Sequence, residues 1–571
     1  MKKNNAFRRA AALMAALSIT VSLAAPAFAD TYYIDYGDIT ITKNEDGSQT
    51  IQQGTEKWTD KAGEETVITT SNTVITTLES DLEGPAAEDS GFGPVAEDNY
   101  QPAQPEDAEK PEGADQPESA EEAKSADRHE SAEQAQPQQA APAAAPAAST
   151  PVNKKDDGFW GNTITVINNF ADKVLNLTLK DVKIDVSDTG DQYDWDQKGK
   201  AALSVQGKGN VEIELDGDNE LKSGTQRAGL EKTSTGTLTL KDDNKEAGSL
   251  TATGGFNSAG IGGGYLGDGR DITITGGTVT ATGGRLGAGI GGGREGKGEN
   301  ITITGGTVTA TGGSDGAGIG GGSSGSGENI TIKGGTVNAT GGESGAGIGG
   351  GNDGVGKNIT ITGGTVEATG YFGGAGIGGG NSDSDGENIT ITGGSVTAFG
   401  GEWAAGIGGG NGGSGNNITI TGGTVNTTGG DGGAGIGGGA EGGGGNNIII
   451  KGGTVTATGG GNRGDGGAGI GGGSGGSLEN ITINGGKVTA TGGSYGAGIG
   501  GGSVSQWGGE SGSGKNITIN GGTVNATGTD GGAGIGGGEN GNGEDITING
   551  GTVNALSLIH ISEPTRLQLI S

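Results

Sequence analysis

The sequence predicts an all-β chain built around a parallel β-helix, and three observations lead there. First, the hexapeptide AGIGGG recurs ten times, its isoleucines falling at Ile261, Ile290, Ile319, Ile348, Ile377, Ile407, Ile436, Ile470, Ile499 and Ile535. The usual step is 29 residues, lengthened to 34 and 36 where loops are inserted; a fixed period of that size means stacked supersecondary units. Second, each unit holds three short runs with apolar residues two apart: Ile272 and Ile274, Val279 and Ala281, Ala288 and Ile290. Residues two apart in a strand share a face, so each run offers one apolar lining and one outward rank. Third, the 135 glycines concentrate between the runs, where they supply the positive-φ corners of sharp turns. Three strands, three corners and one lining make a coil, and equivalent residues of successive coils then stack about 4.8 Å apart.

Taken in order, residues 1–29 read as a secretory signal peptide. Lys2, Lys3, Arg8 and Arg9 precede an apolar run from Ala10 to Ala25, and Ala27, Phe28 and Ala29 form the cleavage site. The run is too short to span a bilayer comfortably. Residues 30–82 carry alternating runs such as DITIT and ETVITT, which predict a small β-rich module. Residues 83–157 turn to Pro, Ala, Glu and Gln, a composition that cannot bury enough apolar surface to fold, so a disordered acidic linker is expected.

Residues 158–258 are expected to be irregular first coils. RAGLEK (227–232), TLTL (237–240) and SLTAT (249–253) map onto the three runs of a later unit, and the polar residues upstream are expected to cover the open end of the stack. Residues 259–555 are the regular coils. An Asn or Asp precedes the first strand of each, at Asp271, Asn300, Asn329, Asn358, Asn388, Asn417, Asn447, Asn480, Asn516 and Asp545; aligned amides hydrogen-bond along such stacks. Residues 556–571, LSLIHISEPTRLQLIS, break the repeat in mid-unit. They resemble a translated transposase sequencing adapter, so the natural sequence is expected to be cut short near Ala555.

GAGIGGG also contains the letters of a dinucleotide-binding loop, but the residues after it lead into another β run rather than a helix. It reads as strand and corner. A net charge of -34 argues against nucleic acid and against anionic membrane surfaces. No segment after the signal could insert in a membrane, and a monomer is expected. With no cysteine, an exported chain must hold together without disulfides.

The folded region offers little for catalysis. His129 lies in the linker, His560 in the tail, and the chain has no cysteine, which removes imidazole ligands, triads and thiol chemistry. Asp194 and Asp196 flank Trp195 in DQYDWDQ, which reads as a polar loop, and nearly interchangeable coils do not make one distinctive site. Binding is better served. The corner before each AG carries Leu286, Phe372, Trp403 or Tyr495; Trp507 lies in the longest inserted loop, and Tyr265 and Phe399 take other outward positions. Phe372, Trp403, Tyr495, Trp507, Phe399 and Tyr265 are the candidate platforms for sugar rings.

NSDSDG offers Asn381, Asp383 and Asp385 at calcium-loop spacing, but its twelfth position is Thr392 rather than Glu. No cofactor is expected, calcium being the weak alternative. The outward ranks of Thr278, Thr280 and Thr282 raise ice binding, though Asn338, Glu367, Asn426 and Thr427 interrupt them. Threonine is in any case a favoured outward β residue.

NVEIELDGDNELKSG, followed by AGIGGG and NITITGGTVTATGG across residues 158–555, resembles the secreted carbohydrate-binding β-helix proteins of anaerobic gut and cellulolytic Firmicutes. The resemblance implies a right-handed parallel β-helix of pectate-lyase-like architecture, displayed on or released from the cell and binding plant or mucosal polysaccharide. Calcium assists some relatives, whereas this sequence lacks an obvious acidic calcium cluster. The expectation is a non-catalytic, secreted or cell-surface glycan-binding adhesin. The alternative is a structural stalk presenting a further domain; a polysaccharide lyase or an ice-binding protein fits less well.

Overall fold

The computed structural model describes residues 30–70 and 152–557, apart from residues 156, 195, 245, 462–464, 506–507 and 509. Residues 1–29, expected as a signal peptide, residues 71–82, nearly all of the expected linker, Trp195, Trp507 and residues 558–571 lie outside the described residues.

The coil is as the alternation requires. Its strands run Gly269–Ile274, Thr278–Thr282 and Ile290–Gly291. Each pairs in parallel with its equivalent one coil on, so Ile272 meets Ile301, Val279 meets Val308 and Ile290 meets Ile319. Ile272, Ile274, Val279, Ala281, Ala288 and Ile290 are all buried, and one apolar cluster runs unbroken from Tyr32 to Ala526. Thr427, expected as an outward interruption, instead takes an inward alanine position and is buried; its hydroxyl has no hydrogen-bond partner among the described residues.

The third strand is only two residues long because Gly291 turns the chain at once, at φ 136°. The corners on either side of it therefore pack backbone on backbone. A Cβ on Gly320 would sit 1.9 Å from the Gly349 carbonyl oxygen, and one on Gly322 2.0 Å from that of Gly293. No side chain fits at those distances, which accounts for AGIGGG.

The asparagine column is continuous over most of the stack. Asn300 Nδ2 donates to Asp271 Oδ1 at 3.0 Å, Asn329 to Asn300 at 3.2 Å, Asn358 to Asn329 at 3.0 Å and Asn388 to Asn358 at 3.1 Å. The structure adds a second reason for the residue type. Asn329 and Asn358 have φ of 56° and 55°, and Asn tolerates this left-handed region better than other side chains.

The irregular coils follow the expected mapping, with strands Leu230–Lys232, Leu238–Lys241 and Gly248–Thr253. One long strand, Asn210–Lys222, serves two ladders: Val211 faces Leu238, and Leu221 faces Ala252. Residues 30–70 do not stand apart as a module of their own. Ile39 pairs in parallel with Ile164, and Thr66 with Leu177, so they form the first layer of the stack. Their antiparallel strands Ile39–Lys43, Gln49–Gln53 and Glu56–Asp60 close that end against further parallel pairing. At the other end Ile546, Ile548 and Leu556 are exposed, and Leu556 continues the strand that pairs with Thr527.

The cap is tied to the coils by a buried polar chain. Tyr32 donates to Asp60 Oδ1 at 2.6 Å and Thr66 to Oδ2 at 2.5 Å. Gln49 Nε2 donates to Thr66 Oγ1 at 2.6 Å, while the Asn176 amide donates back to Gln49 Oε1 at 3.1 Å. Burial pushes the Asp60 carboxyl up to about 6; the two hydroxyl donors pull against it and the charge of Asp30 adds to it.

Two consequences are measurable. Asn358→Ala is expected to lower the unfolding midpoint more than Asn358→Gly, since both lose the ladder bonds but only alanine is strained, by about 1–2 kcal/mol, in the left-handed backbone. Equal effects would show that the backbone conformation is not what selects asparagine. For Asp60, a raised folded-state value means its contribution is fully present below the ordinary 3.8 and is lost as pH rises through about 6. The stability difference between the parent and Asp60→Asn, followed by thermal unfolding, is expected to shift in favour of the uncharged variant across that window and to stay constant above it.

Candidate functional site

Because the third strand is so short, the corner before it and the loop after it lie together. The Asn411 amide donates to the Gly373 carbonyl at 2.9 Å, Ala440 to Trp403 at 2.8 Å, and Glu539 to Tyr495 at 2.8 Å. With the backbone locked in this way, side chains at the corner project to the surface of the lobe.

One pair of successive coils fills its corner with rings. Phe372 and Trp403 stack edge to face, with centroids 4.8 Å apart and planes at 75°. Phe399 ends the strand Ser395–Phe399 and pairs with Thr369; its carbonyl accepts the Gly370 amide at 2.9 Å. Tyr371 follows that glycine directly. Tyr371 is 65% exposed, Phe372 41% and Phe399 40%, while Trp403 is half-buried. Sequence reasoning missed Tyr371. The signal was there: in GYFGG an aromatic replaces a glycine that most neighbouring coils keep at that point.

The other aromatic candidates do not join this group. Tyr265 is half-buried, with the Arg294 guanidinium 6.0 Å from its ring centre. Tyr495 is half-buried three coils beyond Trp403, about 14 Å along the stack. Trp507 lies outside the described residues.

Amides stand beside the rings. Asn381 Oδ1 lies 2.2 Å from where a Cβ on Gly373 would be, so this amide fills the space that Gly373, next to Phe372, leaves open. Asn411, held to the same glycine, keeps Oδ1 buried with no hydrogen-bond partner among the described residues. The arrangement offers flat apolar faces and orienting polar groups in one place.

The calcium-like loop hydrogen-bonds to its neighbours. Asp385 Oδ1 accepts the Ser414 amide at 2.7 Å, and Oδ2 accepts Asn416 Nδ2 at 3.1 Å. Asp383 sits at φ 55°, its amide donating to the Asn411 carbonyl at 2.8 Å. Asn381, Asp383 and Asp385 thus tie this loop to its neighbours, and no three His, Cys, Asp or Glu side chains converge as a metal set among the described residues. Asp194 is likewise engaged locally, accepting the Asp196 amide and Gln197 Nε2. Elsewhere on the lobe, burial raises the carboxyl of Asp315, with Arg285 opposing and Glu343 and Asp353 adding to the shift.

The family model described as "Beta helix repeat" matches eleven stretches: 246–265, 272–294, 301–323, 330–352, 359–381, 389–411, 418–440, 448–474, 481–503, 517–539 and 546–557. The chain is a parallel β-helix repeat protein. No curated protein and no solved structure matches it. No helix among the described residues of this β-helix protein is long and apolar enough to cross a membrane.

If Asp385 is a structural tie, Asp385→Ala is expected to cost about 1–2 kcal/mol in denaturant unfolding, to the same extent in calcium and in chelator. A midpoint of the parent that rises with calcium, lost in the variant, would restore the metal reading.

Proposed function

We propose that this protein binds polysaccharide without acting on it chemically, as a secreted or cell-surface adhesin. The observation that carries the reading is the gathering of Tyr371, Phe372, Phe399 and Trp403 at one corner of two coils. Of the seven aromatic residues between 259 and 555, four fall between 371 and 403, and three of these are exposed. Aromatic faces suit sugar rings, and the adjoining amide of Asn381 supplies a directional contact that fixes orientation.

The backbone supports the same reading. Trp403 and Tyr495 have φ of 69° and 60°, whereas Gly432 and Gly531 take the left-handed region at the same corner without strain. A bulky residue there costs about 1 kcal/mol. Its retention is explained by what the ring contacts, not by what the corner needs. The export signal in residues 1–29 and the absence of His and Cys from residues 158–555 fit an extracellular, non-catalytic role.

The test is retention of the full chain on immobilised plant and mucosal polysaccharides, beside Trp403→Ala and Phe372→Ala. The expected result is retention by the parent and at least a tenfold loss in each variant, as for removal of a stacking partner worth about 1–3 kcal/mol. Parent and variants passing through every polysaccharide alike would leave the structural stalk.

A further inference from the structure

The outward side of the TVTAT ladder carries almost no charge. Ten successive strands, from Thr278–Thr282 to Thr552–Ser557, present their alternate residues to solvent. Between residues 259 and 555 the chain holds 22 acidic residues, yet Glu367 is the only one on that side, and Lys487 is its only base. The acids gather instead on the lobe, as with Asp315, Glu343 and Asp353, and along the edge of the first ladder, as with Glu299 and Glu328.

The aromatic corner borders this neutral side. Phe399 stands in the rank that runs Thr311, Thr340, Thr369, Phe399, Thr428 and Thr458, each paired in register with the next. Such a rank sets one hydroxyl and one methyl about every 4.8 Å along the stack. That spacing is close to the advance per sugar of an extended glycan, and parallel strands keep the rank straight over many coils.

Resting on the polysaccharide reading above, we infer that the ligand is an uncharged, extended glycan lying along the solenoid axis. Tyr371 and Phe399 anchor one or two of its rings, and the threonine rank carries the sugars on either side. The charge pattern selects against uronate polymers, because a chain of net charge -34 repels polyanions and the neutral strip offers no cation row to hold them. An uncharged chain meets no such repulsion, and hydroxyl groups on both partners exchange water for each other. Length dependence follows, since each added sugar reaches one more coil.

The experiment is calorimetric titration of the full chain with a β-1,4-linked glucose disaccharide, the matching hexasaccharide, and polygalacturonate. The hexasaccharide is expected to bind at least tenfold tighter than the disaccharide, and polygalacturonate to bind more weakly than either. Thr340→Val keeps the methyl and the β-branched shape, and its exposed site leaves the fold intact. It is expected to weaken the hexasaccharide about fivefold, the loss of one net hydrogen bond, while leaving the disaccharide unchanged. Thr302→Val, on the outward side of the first ladder, is expected to change neither. Equal affinity for the two oligosaccharides, an unchanged hexasaccharide affinity in Thr340→Val, or tighter binding of polygalacturonate would each overturn the axial, uncharged ligand. In those cases a loss of binding in Phe372→Ala would still uphold the aromatic corner as a glycan site. No heat with any of the three sugars would overturn this inference, and the retention test on other polysaccharides would then decide separately whether the binding reading stands.

Discussion

Everything in this protein depends on one constraint: each coil is stable only when its backbone hydrogen-bonds to the coils above and below. A coil of about 29 residues carries six small lining side chains, too little apolar surface to offset the ordering of its own backbone. Neighbouring coils supply the difference through continuous ladders, as expected of a stack in which every unit meets only its neighbours. The ladders in turn demand identity. A Cβ at Gly322 would intrude on Gly293, and a Cβ at Gly320 on Gly349, so the glycines of one coil hold the glycines of the next in place.

That same demand decides where variation is tolerated. The lining varies little, Thr427 in place of alanine being an exception, and the motif glycines of the lobe are held by backbone contact. The asparagine column is closed by its left-handed geometry and its amide ladder. What remains is the tip of the corner and the outward ranks, where side chains meet solvent and each coil is free to differ. Tyr371, Phe372 and Trp403 occupy the first of these freedoms and Phe399 the second. A site in such a protein is legible as a departure from the repeat.

Periodicity explains how much of this can be read in advance. Ile274, Val279 and Ile290 declare their inward face because alternation and the 29-residue beat point the same way. The regular coils, the glycine corners and the amide column follow from those two signals alone. Other features escape because they depend on contacts between distant parts of the chain. Nothing in the local pattern of residues 30–70 says that Ile39 will lie beside Ile164, more than a hundred residues on. Thr427 misleads for a simpler reason: it is polar where the alternation puts an alanine, and only register with Ala398 and Ala457 sends it inward. The left-handed backbone of Trp403 is likewise invisible, since the same corner turns with positive φ at Trp403, Gly432 and Tyr495 but not at Leu286, Asp315 or Ser344.

On the polysaccharide reading proposed for the aromatic corner, a uniform scaffold suits extended ligands. In a globular enzyme the site is assembled from loops of different origin, and its reach ends at the rim of a pocket. Here the corner adjoins ranks that repeat at the spacing of the coils themselves, so a contact made once is offered again on the next coil in the same orientation. Affinity can then accumulate along a flexible chain molecule without any single strong contact, provided one place fixes the register. Edge-to-face packing of Phe372 against Trp403 holds two rings of that place against each other. Tyr371 and Phe399 are exposed, and Phe399 stands between Thr369 and Thr428, where the repeat resumes.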